Sequence, residues 1–262
     1  MKLGVLGASG RMGQQIIKYA EAYGFDVSHA FVSKQSRSLG NPIGQTHYHH
    51  VSEVNDAPDV LIDFSLPSAL EENLEYAQNH QCPIVVCITG LDAAQQQLLR
   101  DTAQKVATLH ARNTSLGVAL MEQLTRIAAG AFKDADIEIF EAHHRHKKDG
   151  PSGTALALGE AAAMGRKVTF ETVNDGIRGE GERSEQGIGF SVLRAADIVG
   201  EHQVWLAQAG ERIELSHRVS DRRIFAEGAL RAAQWLKAQA PGECYQMADV
   251  LDLKKQLAQL LD

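Results

Sequence analysis

KLGVLGASGRMGQQIIKYAEAYG, residues 2–24, decides the fold. Lys2 to Leu6 is a short apolar run suited to a buried parallel strand. Met12, Ile16, Ile17 and Ala20 then recur at helical spacing until Gly24 stops the helix. Between strand and helix lies Gly7-Ala8-Ser9-Gly10-Arg11-Met12-Gly13, a G-x-x-G-x-x-G turn. Glycines at this spacing allow a tight turn, let backbone amides approach a pyrophosphate, and bring helix against strand. The helix start adds partial positive charge at the same place. Residues 7–12 are therefore candidate contacts for a dinucleotide.

Downstream, strand-like runs at Asp26–Ser33, Asp59–Ser65, Ile84–Thr89 and Val106–Ala111 continue the pattern. Helical patterns at Ser68–His80 and Asp92–Lys105 separate the later ones, as βαβ units of a parallel sheet require. NAD-specific sheets usually end the second strand in Asp or Glu, about 20 residues past the glycines. Here that place reads Val32-Ser33-Lys34-Gln35-Ser36-Arg37 and holds no carboxylate. Lys34 and Arg37 suit a 2′-phosphate and Ser33 a hydrogen bond. The expectation is that NADPH binds at least as well as NADH.

Beyond Asn113 the pattern changes. Leu116–Phe132 predicts a long helix, and Asp136–Glu141 alternates polar and apolar like a half-buried strand. Thr154–Met164 predicts another helix. Val168–Val173, Gly189–Arg194, Ile198–Ala207 and Arg212–Val219 predict strands of a mostly antiparallel sheet. A helix over Phe225–Ala240, a Pro-Gly segment and a terminal helix complete the chain. The fold class is α/β. A Rossmann-type parallel-sheet domain (1–114, completed by 225–262) joins an α+β domain with a mixed or antiparallel sheet (115–224).

The second half also holds EAHHRHKKDGPSGTA, residues 141–155, where His143, His144, His146, Lys147 and Lys148 crowd one loop. Such a cluster suits a metal, a solvated surface or an anion. The histidines lack the i, i+4 spacing of a helical zinc site, and no Cys or carboxylate sits at an evident ligand offset. Ser152-Gly153-Thr154 falls where a helix begins, so its hydroxyls and amides are expected to face outward toward a carboxylate or phosphate. Lys147 and Lys148 strengthen such a pocket, and a histidine titrating near neutrality adds acid–base capacity. An anion pocket without metal is the favoured assignment.

Composition narrows the partners. With 33 acidic and 26 basic side chains the net charge is -7, which disfavours nucleic acid and membrane surfaces and makes any cationic site local. No apolar run approaches the roughly 20 residues needed to span a bilayer. Cys82, Cys87 and Cys244 match no zinc spacing, and without a signal sequence they suit reduced thiols in the cytoplasm.

Taken whole, the chain resembles the 4-hydroxy-tetrahydrodipicolinate reductases (dihydrodipicolinate reductases) of bacterial lysine and diaminopimelate synthesis. Residues 141–155 lie close to that family's E-x-H-H-x-x-K-x-D-A-P-S-G-T-A signature. Asp197-Ile198-Val199-Gly200-Glu201-His202 and Phe225-Ala226 with Gly228-Ala229 also match family stretches. The resemblance implies NAD(P)H-dependent reduction of a cyclic dicarboxylate, with loss of water. It implies His143 as acid–base residue, Lys147 as proton donor and His144 in contact with substrate. Ser152, Gly153 and Thr154 are its candidate substrate-carboxylate residues. Nicotinamide contacts are implied on Cys87-Ile88-Thr89 and Ala111-Arg112-Asn113-Thr114, and a homotetramer through the second-domain sheet. Two departures stand out. Cys87-Ile88 replaces the family's Gly-Thr, and Thr114 replaces Phe or Met, which puts cofactor affinity in question. Arg222, at the hinge before the last long helix, suits the substrate cleft and a surface position equally.

Overall fold

The computed structural model describes residues 1–253 and residue 256. The chain divides into two compact units, Met1–Ser115 with the segment from Arg223 onward, and Leu116–Arg222.

The first unit begins with β1 (Lys2–Leu6), α1 (Arg11–Tyr19) and β2 (Asp26–Phe31). Next come β3 (Pro42–Ile43), β4 (Thr46–His49), β5 (Val60–Asp63), α2 (Leu70–Asn79), β6 (Ile84–Val86), α3 (Ala93–Ala103) and β7 (Thr108–His110). The sheet runs β3-β4-β2-β1-β5-β6-β7 and is parallel except for the β3–β4 pair. Every residue of β5 and β6 is buried, as expected for strands covered on both faces. Leu70, Leu74 and Ala77 of α2 pack with Leu6, Phe31, Leu61, Ile84 and Val86 to form the core on one face. The small hairpin β3–β4 was not anticipated. It is too short and polar to show a period, yet β4 pairs with β2 through Ala30 and Phe31.

The second unit comprises α4 (Leu116–Ala131), β8 (Asp136–His143), α5 (Gly153–Arg166), α6 (Phe170–Val173), β9 (Asn174–Ile177), β10 (Ile188–Arg194), β11 (Gly200–Gln208) and β12 (Glu211–Val219). Its sheet order is β12-β11-β8-β10-β9. The β11–β12 and β11–β8 pairs are antiparallel, whereas β10–β8 and β10–β9 are parallel, so the sheet is evenly mixed rather than mostly antiparallel. The strand expected over Val168–Val173 is corrected as well. Lys167, with φ 61°, ends α5, and Phe170–Val173 forms one helical turn whose Phe170 ring meets Phe190 edge-on at 6.3 Å. Tertiary packing of that ring overrides the local β propensity.

Chain then returns to the first unit as α7 (Arg223–Leu236), shorter than expected at its far end, and α8 (Met247–Val250). Ala226, Ala229, Leu230 and Ala233 form the buried stripe of α7, which packs on α1 and β5–β7. Of the terminal helix expected from sequence, α8 is the regular part described, and residues 254, 255 and 257–262 lie outside the described residues. Among the described residues, no helix is long and apolar enough to cross a membrane.

Candidate active site

In the first unit, Gly7 adopts φ 75°, and a Cβ there would sit 2.8 Å from the Phe64 carbonyl group. A Cβ on Gly13 would strike the Gly7 carbonyl oxygen and Ala8 Cα. Both glycines are therefore dictated by backbone packed on backbone. Gly10 is the N-cap of α1 and provides no side-chain cap, so it offers the dipole end of the helix no capping acceptor of its own.

Two cavities follow this loop. One, of about 510 Å³, is lined by Gly7, Ser9, Gly10, Ser33 and Lys34 among others. A second, of about 410 Å³, is lined by Met12, Cys87, Ile88, Thr89, Ala111, Arg112, Asn113 and Thr114, with Phe225 from α7. Phe64, Ser65 and Leu66 line both, so the two share a lip. The glycine cradle, uncapped helix start and paired cavities fit a dinucleotide with one nucleotide on either side of its pyrophosphate. Ala8 lines neither cavity: it is buried, and its amide donates to the Phe31 carbonyl at 3.0 Å. Arg11 is exposed at the first position of α1.

Arg37 is exposed outside the lining of the larger cavity, where Gln35 and Ser36 accompany Lys34 instead. Sequence reasoning missed a carboxylate in this cavity. Glu72 of α2 stands 4.0 Å from Lys34 Nζ and 3.3 Å from His50 Nε2. The departures at the smaller cavity are built into the framework. The Cys87 amide donates to the Asp63 carbonyl at 2.8 Å, and burial raises the thiol pKa well above its ordinary value. His110 Nε2 lies 3.2 Å from the Ile88 carbonyl oxygen. Thr114 Oγ1 donates to the Phe225 carbonyl at 2.7 Å, which ties its loop to α7.

The charged corner of the second unit grows from the alternation of β8. Ile137 and Ile139 point into the core, and the same phase next brings in Glu141 and then His143. Register places Arg194 of β10 beside His143 and His202 of β11 opposite Glu141. Glu141 is fully buried. Its Oε2 lies 2.6 Å from His143 Nδ1 and 2.8 Å from Arg194 Nη1, and its Oε1 accepts from Arg194 Nη2 at 2.8 Å and the Ser152 amide at 3.1 Å. Burial alone would raise the Glu141 pKa, but the hydrogen bonds from His143 and Arg194 hold it at about 2. His202 is pushed down to about 3 by burial and then by the nearby His143, so it stays neutral.

Ser152 caps α5, accepting from the Ala155 amide at 3.1 Å, with His202 Nε2 3.0 Å from the same hydroxyl oxygen. Its hydroxyl thus faces inward, which corrects the expectation that it faces outward. A buried cap and a buried imidazole satisfy each other there. Gly153 is exposed and Thr154 half-exposed on the first turn of the helix. Lys147 Nζ holds both oxygens of Asp149, at 2.9 and 2.7 Å. His144 is half-exposed, its pKa lowered by desolvation and by Arg222. Among the described residues, no group of three or more His, Cys, Asp and Glu side chains is placed to hold a metal ion. Sequence reasoning did not find Arg194 or the inward carboxylate. A charged residue on the apolar phase of a strand was the available signal for Glu141.

Comparison with known proteins covers both units. Residues 1–114 match the family model for dihydrodipicolinate reductase, N-terminus, and residues 117–251 that for its C-terminus. Curated relatives named 4-hydroxy-tetrahydrodipicolinate reductase include one from Zymomonas mobilis subsp. mobilis, 45% identical over 97% of this chain and 98% of the relative. Another, from Pseudoalteromonas translucida, is 43% identical over 97% of this chain and 98% of its own length. A solved dipicolinate-bound dihydrodipicolinate reductase from Paenisporosarcina sp. TG-14 shares the fold, with a TM-score of 0.75 at 20% identity over 94% of this chain and 97% of that one.

Proposed function

Since the chain belongs to the dihydrodipicolinate reductase family, and so reduces 4-hydroxy-tetrahydrodipicolinate with NADH or NADPH in lysine and diaminopimelate biosynthesis, we propose which of its side chains do the work. The dinucleotide is held by the first unit, with Gly7, Ser9, Gly10, Arg11 and Met12 at the pyrophosphate, Ser33 and Lys34 at the adenosine ribose, and residues 87–89 and 111–114 at the nicotinamide. When bound, it supplies a hydride to the substrate ring. The second unit, residues 115–224 in the sequence-based division, binds the substrate.

Substrate carries two carboxylates, and the start of α5 at Gly153 and Thr154 receives one of them, with Ser152 shaping that turn through its inward cap. His144 contacts the ring substituents. Net reaction consumes one hydride and one proton and releases the ring hydroxyl as water. His143 exchanges the proton that accompanies loss of the hydroxyl. Lys147 donates the proton that discharges the negative charge left when hydride adds to the unsaturated imine. The supporting observation is that the buried Glu141 carboxylate takes hydrogen bonds from His143 and from the Ser152 amide at the start of α5, while Arg194, bound to the same carboxylate, also holds the Lys147 carbonyl.

The test is cofactor oxidation with freshly made product of the upstream synthase, using NADH and NADPH in turn on wild type and Lys34→Ala. Wild type is expected to turn over with either. Loss of Lys34 is expected to weaken NADPH by about 10-fold or more, the scale of one charge-assisted hydrogen bond, and NADH little. No turnover with either cofactor would remove the activity, and equal losses would remove Lys34 from the 2′-phosphate.

A cytoplasmic homotetramer completes the proposal. On the sheet face opposite Val204 and Leu206, Trp205 and Leu193 remain exposed, with Arg212 stacked 4.2 Å from the Trp205 ring. A second copy covering this face would bury them. Sedimentation equilibrium is expected to give four times the 28.5 kDa chain mass, and a monomer would contradict the assembly.

A further inference from the structure

The geometry assigns to the buried Glu141–Arg194 pair the role of a positioning device that sets His143, the Lys147 loop and the start of α5 in one arrangement and keeps the His143 proton on Nδ1. This rests on His143 acting as the acid–base residue. An ionised carboxylate only accepts hydrogen bonds. Four donors converge on Glu141: His143 Nδ1, the two terminal nitrogens of Arg194 and the Ser152 amide. The neutral imidazole must therefore carry its hydrogen on Nδ1, which leaves Nε2 as the nitrogen available to a substrate. That nitrogen lies only 3.1 Å from where a Cβ on Gly200 would sit, a place a larger residue would crowd.

Arg194 is used as completely as its partner. Besides Glu141, Nη1 donates to the Leu193 carbonyl at 2.7 Å, Nη2 to the Asp149 carbonyl at 2.6 Å and Nε to the Lys147 carbonyl at 3.3 Å. One guanidinium thus spends two of its five donors on Glu141 of β8, one on its own neighbour Leu193, and two on the residues whose side chains form the Lys147–Asp149 ion pair. Lysine has no planar fork and cannot reproduce this. The other titratable and charged groups around His143 are His202 at 5.2 Å between ring centroids, His217 paired with it on β12, and Lys147, His144 and His146 of its own loop. Of all these, Glu141 is the carboxylate in direct contact with the ring.

The experiment compares wild type, Glu141→Gln, Arg194→Lys and His143→Gln. Glu141→Gln is expected to lower kcat by about 10²-fold or more, leave the KM for NADH unchanged, and alter the shape of the pH–rate profile. Arg194→Lys is expected to lower kcat with the same sparing of KM. Nitrogen-15 spectra of neutral His143 in the wild type are expected to show hydrogen on Nδ1, a readout that does not depend on any variant folding. Hydrogen on Nε2, or a Glu141→Gln enzyme with wild-type kcat and pH profile and only a lower melting temperature, would overturn the assignment. Full activity in His143→Gln would instead remove the acid–base residue itself.

Discussion

Replacing Lys147 by Met is expected to lower kcat by about 10²–10⁴-fold, the usual contribution of a positioned acid, while the dissociation constants of NADH and NADPH stay near wild type. Two features of the molecule separate these quantities. Both cavities assigned to the dinucleotide are lined by residues of the first unit, whereas Lys147 belongs to the second. Its side chain is 20% exposed, and its ammonium is held by both oxygens of Asp149 rather than sweeping freely through solvent. Methionine keeps the length and most of the volume of the side chain but has no proton to give. Steady-state kinetics with synthase-generated substrate, set beside a fluorescence titration of each cofactor, makes the comparison. Losses of similar size in kcat and in cofactor affinity would show that the loop had been deformed, not that a proton donor had been lost.

Gly13→Val should act at the other end of the reaction. The new Cβ would occupy the space of the Gly7 carbonyl oxygen and Ala8 Cα, backbone atoms that cannot swing aside as a side chain can. Overpacking of this kind costs about 1–3 kcal/mol, and here the movement that relieves it displaces the turn over the helix start. Affinity for both dinucleotides is expected to fall by about tenfold or more, since every 1.4 kcal/mol is a factor of ten. A lower melting temperature should accompany it. Calorimetric titration of the folded variant checks this. Wild-type affinity would mean that α1 can slide outward without disturbing the phosphate turn.

Much of this molecule is legible in its sequence because the decisive features are local. The glycine turn at residues 7–13 carries its own steric reason, and strands buried on both faces announce themselves as unbroken apolar runs such as Val60–Ile62 and Ile84–Val86. The cationic loop is equally compact. What escaped depends on distance along the chain or on competition between levels. Arg194 is 53 residues from the carboxylate it grips, and nothing in either neighbourhood announces the pairing. Glu72 reaches its cavity from a helix, not from the strand end where a carboxylate was sought. Ser152 was expected to aim at a ligand because helix starts often do, but a buried imidazole opposite it claimed the hydroxyl. Over Val168–Val173, β-branched residues argued for a strand until Phe170 found a ring to pack against.

The return of α7 to the first unit bears on how the protein is made. A growing chain that has emerged only as far as residue 222 already contains all seven strands of the parallel sheet, yet the apolar surface of β5–β7 that α7 covers is still bare. The second unit, contiguous from Leu116 to Arg222, can close while it is being synthesised. The earlier-made half must wait on the ribosome for a helix translated only after the whole second unit, exposed to chaperones in the interval.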